Sequence, residues 1–169
     1  DLVVYSLAAP RRTTPDGVTY RSVLKTTGEE FTNKNLNLKD NSIGMKSIPA
    51  ATEAEAETTV KVTGEEDWKL WIEFLDNAGV LTENFKTVAY SYLGPKVTYG
   101  IYKEGTIGAA KRDLEGTSDY LNDYLKTKYN GEAYVSLSKA LMTKASAVIP
   151  IFPLYATLLY KVMKAQGLH

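Results

Sequence analysis

Cysteine is absent from the sequence, and the only histidine is the final residue, His169. The lack of cysteine excludes disulfide bonds, thiolate metal sites and a cysteine nucleophile. With a single histidine, neither a Ser-His-Asp triad nor a histidine metal site has support, so we predict no metal centre. A chain without cysteine is compatible with a reducing compartment. We therefore expect a cytoplasmic protein, or a mitochondrial matrix protein if the source is eukaryotic.

The sequence also lacks an excess of charge and a long apolar run. Its 20 basic and 20 acidic residues cancel, so we expect no nucleic-acid partner and no attraction to an anionic membrane. No apolar run approaches the roughly 20 residues that cross a bilayer, and we predict no membrane span. The 44% apolar content is ordinary for a globular protein, and 169 residues are enough for one domain with a sizeable core.

The first residues of the chain predict a buried strand. Asp1 is followed at once by the apolar run 2–5, which is typical of a parallel strand with neighbours on both sides. The small residues at 6–10 either let the backbone approach a ligand or simply make a tight turn out of the strand. This segment by itself favours the tight turn. Because the sequence has no initiator methionine and stops as a helix finishes, we expect it to be an excerpt of a longer chain.

Strands and helices alternate further along the chain. Apolar runs predict strands at 86–92 and 133–137, and apolar spacing predicts helices over about 106–129 and 154–165. Together with the strand at 1–5, this order is typical of an α/β fold with a parallel sheet.

Between the predicted strands at 1–5 and 86–92, the sequence does not continue the same alternation of strands and helices. Residues 15–17 predict a turn, a strand follows at 19–24, and 31–45 predict a two-stranded excursion. The excursion is either a flap over a site or a plain surface hairpin, and the pattern favours neither. Arg11 and Arg12 are either phosphate ligands or solvated side chains, and we expect them to be solvated.

Two helices are predicted between this stretch and the second strand. Residues 51–62 are rich in alanine and glutamate and form the first helix. Thr63 and Glu66 have the spacing of a capping box for the second helix. Within that helix, apolar spacing predicts that Trp68 and Trp71 are core residues.

Tyr102 stands out among twelve tyrosines because Lys111 lies nine positions on, with Gly105 and Gly108 between them. If the whole segment were helical, nine steps of about 100° would place the two side chains on opposite faces. Thr106 is a good N-cap residue, so Tyr102 can lie in the loop ahead of the helix and Lys111 inside it. Both side chains then point into one cleft at the carboxyl edge of the sheet.

A phenol beside an ammonium group is a useful acid. The positive charge favours phenolate, so we expect the pKa of Tyr102 to fall from about 10 toward the working pH. Lys111 can also hydrogen-bond a ribose hydroxyl and so hold a dinucleotide. Judged on spacing alone, unrelated surface residues are the commoner explanation for such a pair.

Six segments carry a wider pattern that covers nearly the whole chain in order: DLVVYSLAAPRRT (1–13), VKVTGEEDW (60–68), AYSYLGP (89–95), IYKEGTIGAAK (101–111), KALMTKASAVIPIFPLY (139–155) and YKVMK (160–164). This pattern resembles that of the trans-2-enoyl-CoA reductases and the FabV-type enoyl-acyl-carrier-protein reductases. The tyrosine and lysine separated by eight residues distinguish that family from ordinary short-chain reductases, in which the two lie four apart.

The resemblance implies roles for named residues. Tyr102 would be the proton donor, Lys111 would bind the cofactor and polarise the site, and Tyr92 would contact the thioester carbonyl. The helix that carries Tyr160 would line the acyl pocket. The resemblance further implies NAD-binding residues at the ends of two strands, namely Ser6, Leu7 and Ala8 on the adenosine and ribose side and Leu141, Met142 and Thr143 at the nicotinamide.

The resemblance also implies the fold and the reaction. The expected fold is a Rossmann-type parallel sheet with helices on both faces, lacking its N-terminal half, plus a small β and helical substrate-binding insertion. Residues 1–13 and 86–169 would form the Rossmann core, and 14–85 the insertion. The expected reaction is the NADH-dependent reduction of the trans-2 double bond of enoyl-CoA or enoyl-acyl-carrier-protein, by a monomer or alternatively a dimer.

Some features depart from the family pattern. Met142 stands where valine is expected, and residues 116–118 replace alanines. The family's glycine-rich phosphate loop lies upstream of the first matched strand, so the 169 residues alone are not expected to hold NADH. Two alternatives stay open, a short-chain-type carbonyl reductase and a non-catalytic acyl-thioester-binding or assembly fragment of a reductase fold.

Overall fold

The computed structural model describes residues 1–64, 66–138 and 141–168. Its strands are β1 (Leu2–Tyr5), β2 (Arg11–Thr13), β3 (Thr19–Arg21), β4 (Phe31–Leu36), β5 (Ile43–Ile48), β6 (Lys86–Ser91) and β7 (Glu132–Leu137). Its helices are α1 (Glu53–Thr63), α2 (Glu66–Asn77), α3 (Thr106–Tyr129) and α4 (Phe152–Ala165), with short 3-10 turns at Lys96–Thr98 and Ser146–Val148. Glu65 of the predicted capping box, Lys139 and Ala140 of one family segment, and His169 lie outside the described residues.

A parallel sheet in the order β1-β6-β7 forms the centre of the fold. Val3 pairs with Thr87, and Thr87 pairs with Ala133, so the side chains of these three residues share one face of the sheet. The β6–α3–β7 unit is the strand-helix-strand crossover that parallel pairing requires. The predicted α/β fold with a parallel sheet is confirmed.

Helices α2 and α3 cover that face of the sheet. Trp68 and Ile72 of α2 and Leu121 and Leu125 of α3 are fully buried in one cluster with Phe85. Burying each of these side chains contributes about 1.5–3 kcal/mol. The core therefore lies directly beneath the strands whose ends carry the candidate site.

Hydrogen bonds fix the tryptophan of this core. The Trp68 indole N–H donates to the Thr87 hydroxyl at 2.9 Å, and that hydroxyl donates to the Val3 carbonyl at 3.0 Å. Trp71 was predicted to be a core residue, and that prediction is wrong, because its side chain is 51% exposed and packs edge-on against exposed Phe74. Apolar residues spaced three and four apart show which face of a helix is apolar. They do not show how far around the helix the buried surface extends.

The opposite face of the sheet is more exposed within the described residues. Leu2 and Val4 of β1, Tyr90 of β6 and Tyr134 of β7 point to this side, and all four are exposed. Apolar side chains therefore line this face in the part of the chain that the structure describes.

The stretch between β1 and β6 forms two antiparallel hairpins, β2–β3 and β4–β5. The predicted turn at 15–17 is confirmed, with Gly17 at φ 86° and its amide donating to the Thr14 carbonyl. The two-stranded excursion is confirmed as β4–β5. Buried Ile48 packs with Ile101 and Ile151 in a second cluster, so this hairpin is anchored on the rest of the chain.

The capping box was predicted one helix too late. Thr52 caps α1, accepting from the Glu55 amide while the Glu55 carboxylate accepts from the Thr52 amide. Thr63 is instead the last residue of α1, and its hydroxyl donates to the Thr59 carbonyl. Glu66 does not reach back to a cap because its carboxylate accepts from Arg12 at 2.6 Å.

Arg12 was expected to be solvated, and that prediction is wrong. Its side chain is buried and forms ion pairs with Glu66 and Asp67, both at 2.6 Å. It also donates to the Lys61 carbonyl in the last turn of α1 at 2.9 Å. Arg12 therefore joins the β2–β3 hairpin to the end of α1 and the start of α2, where carboxylates also suit the helix dipole.

Within the described ranges, no helix combines the length and the apolar character needed to cross a membrane.

A polar cluster joins α2 to α3 beside the core. The Asp76 carboxylate accepts from the hydroxyls of Tyr124 and Tyr129 and from the Lys128 ammonium at 2.5 Å. The hydrogen bond from Lys128, followed by those from the two tyrosines, lowers the pKa of Asp76 to about 2. Because this pKa is depressed in the folded state, the ionised carboxylate stabilises the fold above its unfolded pKa of about 3.9.

We expect Asp76→Asn to lower the melting temperature at neutral pH. The difference from wild type should shrink as the pH falls from about 4 toward 2, because the native carboxylate then becomes protonated. Thermal melts of the two proteins across this range measure the effect. Asp123→Asn on the exposed side of α3 is the control, and an equal loss there would contradict a specific role for Asp76.

Candidate active site

The start of α3 positions the candidate pair. Gly105 is the N-cap residue, so the prediction that Thr106 is the N-cap is wrong by one position. Thr106 is fully buried, and its hydroxyl donates to the Val23 carbonyl at 2.5 Å and accepts from the Lys25 amide at 3.3 Å. The predicted consequence is nevertheless confirmed, since Tyr102 precedes the helix and Lys111 lies inside it.

Gly108 allows the Tyr102 turn to fold back onto α3. A Cβ atom at Gly108 would lie 1.9 Å from the Lys103 carbonyl oxygen and 2.7 Å from that of Tyr102. Any larger residue would therefore push the turn away from the helix. The Tyr102 amide also donates to the Thr98 carbonyl at 2.9 Å, which fixes the other side of the turn.

Lys111 lies between the end of β6 and the two candidate tyrosines. Its ammonium donates to the Tyr92 carbonyl and to the Ser91 hydroxyl, the latter at 3.2 Å. The Nζ atom is 4.9 Å from the ring centre of Tyr102 and 5.4 Å from that of Tyr92. The two rings meet edge to face with centroids 5.3 Å apart, so the three side chains form one cluster.

Burial governs the protonation of this cluster. Burial lowers the pKa of Lys111 to about 8, and the nearby Glu115 carboxylate opposes that shift. Burial, and then the neighbouring Tyr92, raise the pKa of Tyr102 to about 12. The expected depression of the Tyr102 pKa is therefore wrong for this structure, because the ammonium faces the ring and donates its hydrogen bonds elsewhere.

The Tyr92 hydroxyl is buried and has no hydrogen-bond partner within the described residues. Burial raises its pKa as well. An unpartnered buried hydroxyl is costly, typically by about 1–3 kcal/mol, so it is suited to receive a polar ligand atom.

A cavity of about 460 Å³ opens beside this cluster. It brings together five of the predicted site residues, and its lining is Leu7, Ala8, Val62, Thr63, Tyr90, Ser91, Tyr92, Tyr102, Ile107, Lys111, Leu114 and Ser138. Ser6 lines a smaller adjoining cavity of about 120 Å³ together with Leu7 and Ala8. The ends of β1 and β6 thus meet in one cleft at the carboxyl edge of the sheet, as parallel sheets favour.

The other predicted site residues form a second group. The Tyr160 hydroxyl of α4 accepts from the Met142 amide at 3.1 Å. The Ser146 hydroxyl donates to the Leu141 carbonyl and accepts from the Thr143 amide, both at 2.7 Å. Among the described residues these four predicted positions do not line the larger cavity. Tyr160 holds the 141–143 loop in place.

The start of α4 connects this second group to the tyrosines. Phe152 packs edge-on against Tyr92, with ring centroids 6.3 Å apart at 90°. The preceding residue, Ile151, is buried at φ 70°, a conformation that β-branched residues rarely adopt. Its amide donates to the Asn35 side-chain oxygen of β4 at 2.8 Å. The β4–β5 hairpin therefore secures the strained residue beside the site.

Ser91 and Phe152 contact the cluster but were not among the predicted site residues. Ser91 lies one residue before the end of the strand predicted at 86–92, so a small polar residue near a strand end was the available signal. Phe152 lies between Pro150 and Pro153, just ahead of the helix predicted at 154–165, in a segment whose pattern predicts only the start of an apolar helix. Its contact with Tyr92 depends on tertiary packing that no local pattern encodes.

The family profile described as the catalytic region of trans-2-enoyl-CoA reductase matches residues 1–169. The chain belongs to the trans-2-enoyl-CoA reductase family. The resemblance inferred from the six segments is therefore confirmed.

Relatives in this family carry two names. The chain is 55% identical over 170 residues to the Clostridium perfringens trans-2-enoyl-CoA reductase [NADH]. It is 51% identical over the same length to the Flavobacterium johnsoniae enoyl-[acyl-carrier-protein] reductase [NADH]. All of this chain is covered in both cases, but only 43% of each relative. The chain thus spans less than half the length of the relatives it matches.

Solved structures of the family share the fold. The Clostridium acetobutulicum trans-2-enoyl-CoA reductase in complex with NADH superposes with a TM-score of 0.94 at 47% identity, covering all of this chain and 43% of that one. The Treponema denticola trans-2-enoyl-CoA reductase in complex with NAD gives 0.91 at 48% identity, covering 42% of that chain.

We expect Asn35→Ala to destabilise the packing of the β4–β5 hairpin against α4. The buried Ile151 amide would lose its acceptor, which typically costs about 1–3 kcal/mol. Denaturant unfolding of the full-length protein measures this loss. The control is Asn33→Ala on the same strand, because the Asn33 side chain bonds only to the adjacent Lys34 amide among the described residues. Equal losses at the two positions would contradict the assignment.

Proposed function

We propose that the full-length protein reduces the trans-2 double bond of an enoyl thioester, carried by CoA or by acyl carrier protein, with NADH. The observation that carries this proposal is the Lys111 ammonium facing the rings of both Tyr92 and Tyr102 beside an open cavity. Relatives named for CoA and for acyl-carrier-protein substrates both support the thioester class.

The residues that line the cavity fit the ribose part of NADH. Lys111 is a three-proton donor, and two protons go to the Ser91 hydroxyl and the Tyr92 carbonyl in the described part of the chain. The third suits a ribose hydroxyl. Leu7 and Ala8 give an apolar wall that suits the adenosine and ribose side of the cofactor. When bound, NADH supplies the hydride that reaches the β-carbon of the substrate.

The side chains of this chain would handle the charge and the proton. Hydride addition at the β-carbon moves the double-bond electrons toward the carbonyl and gives an enolate. The Tyr92 hydroxyl, otherwise unpartnered, donates to the carbonyl oxygen, and the Lys111 charge stabilises the developing anion. Tyr102 keeps its proton at neutral pH, since its pKa is about 12. It donates or relays that proton to the α-carbon and so completes the reduction.

Further features of the full-length protein belong to the same proposal. Residues 1–13 and 86–169 would form the Rossmann core, and 14–85 the substrate-binding insertion. Leu141, Met142 and Thr143 would contact the nicotinamide, Ser6 the adenosine side and Tyr160 the acyl pocket. The protein would act in the cytoplasm as a monomer.

We expect Tyr102→Phe in the full-length enzyme to lower turnover of crotonyl-CoA by about 100-fold or more, the usual scale for losing a general acid. NADH affinity and folding should be retained, because the phenyl ring keeps its packing against Tyr92. Steady-state kinetics and NADH titration measure both effects. Tyr99→Phe in the same turn is the control, and turnover of Tyr102→Phe within threefold of wild type would overturn the assignment.

Lys111→Ala should raise the Michaelis constant for NADH and lower turnover, because the lysine would serve both ribose binding and charge stabilisation. The comparison is Lys103→Ala, since Lys103 lies over the Tyr99 ring at 4.9 Å and outside the cavity lining. NADH titrations of the two variants measure the difference. Equal effects would mean that general positive charge, and not this site, is responsible.

A further inference from the structure

We infer that Ser91 is a positioning residue that directs the Lys111 ammonium toward Tyr102 and the cavity. This inference rests on the proposed function, since it assigns a role within the same site. Lysine has a flexible four-carbon stem, so a single hydrogen bond leaves its direction free. The Ser91 hydroxyl and the Tyr92 carbonyl supply two acceptors on adjacent residues, and together they fix that direction.

The backbone of Ser91 is well placed for this purpose. Ser91 is the final residue of β6 and is only 9% exposed. Its side chain lies on the same face of the sheet as buried Thr87 and Ala89. Its carbonyl accepts from the Ser138 amide at 2.9 Å, just beyond the paired end of β7. The backbone of Ser91 is therefore held within the sheet, and its side chain is not carried on a loop.

The packing of the lysine makes this acceptor important. Among the described residues, the titratable groups that face Lys111 are Tyr92 just after β6, Tyr102 ahead of α3 and Glu115 on α3. Burial disfavours its charged form and lowers its pKa to about 8. A hydrogen-bond acceptor favours the charged form. Removing the Ser91 hydroxyl should therefore lower the pKa of Lys111 further, so that the ammonium is lost at a lower pH.

The test is the pH dependence of kcat/KM for crotonyl-CoA in the full-length enzyme between pH 6 and 10. We expect Ser91→Ala to move the alkaline limb to lower pH by about half a unit or more, since a hydrogen bond to a charged group commonly contributes that much. The Michaelis constant for NADH should rise about threefold or more, as the lysine loses its direction. Ser91→Thr restores a hydroxyl and should return the limb toward the wild-type position.

Ser118→Ala is the matched control. Ser118 is a buried serine of α3 whose hydroxyl donates to the Ala133 carbonyl at 3.5 Å, away from the cluster. Its removal should leave the pH profile unchanged. Ser91→Cys, with a weaker acceptor of similar size, should give an intermediate shift and replaces the alanine variant if that variant does not fold.

The possible results separate this inference from the proposed function. Superimposable pH profiles for Ser91→Ala and wild type, or equal shifts for Ser91→Ala and Ser118→Ala, would overturn the role of Ser91. The proposed function itself fails if Tyr102→Phe and Lys111→Ala retain turnover. Loss of activity in those two variants with an unshifted Ser91→Ala profile would refute only the positioning role.

Discussion

The candidate site depends on where α3 begins. Tyr102 and Lys111 would project from opposite sides of a continuous helix, and they meet only because the helix starts at Thr106. The buried Thr106 hydroxyl fixes that start through the Val23 carbonyl and the Lys25 amide. Both partners lie far away in sequence, between β1 and β6. The geometry of the candidate pair is therefore set by a contact with the segment that interrupts the sheet.

Local sequence patterns were enough to predict the elements that are determined by neighbouring residues. The apolar runs identified β1, β6 and β7, and the glycine and threonine between Tyr102 and Lys111 located the start of α3 to within one residue. Arg12 shows where such reasoning fails. Two adjacent arginines in a polar stretch are usually solvated, but the carboxylates that bury Arg12 lie on α2, more than fifty residues later. A long-range ion pair leaves no periodic signal in the sequence.

The protonation of the site illustrates a second limit. A helix start at Thr106 made a meeting of Tyr102 and Lys111 possible, and a lowered tyrosine pKa was inferred from that meeting. The structure places the ammonium over the ring face and directs its hydrogen bonds to Ser91 and Tyr92. Burial then dominates and raises the pKa of Tyr102. Proximity alone did not decide whether the pKa of Tyr102 is raised or lowered, because the orientation of the lysine charge relative to the tyrosine hydroxyl also matters.

The β4–β5 hairpin illustrates how the segment between β1 and β6 contacts the candidate site. Its sequence was equally consistent with a flap and with a surface hairpin. In the structure, the Asn35 side chain accepts from the Ile151 amide, and Ile48 belongs to the same buried cluster as Ile151. Ile151 immediately precedes Phe152, whose ring meets Tyr92. A strained backbone conformation at a β-branched residue is kept only where surrounding contacts stabilise it. For Ile151, the hairpin provides such contacts. The segment between β1 and β6 is thus connected to both candidate tyrosines, through Thr106 to Tyr102 and through Ile151 to Tyr92.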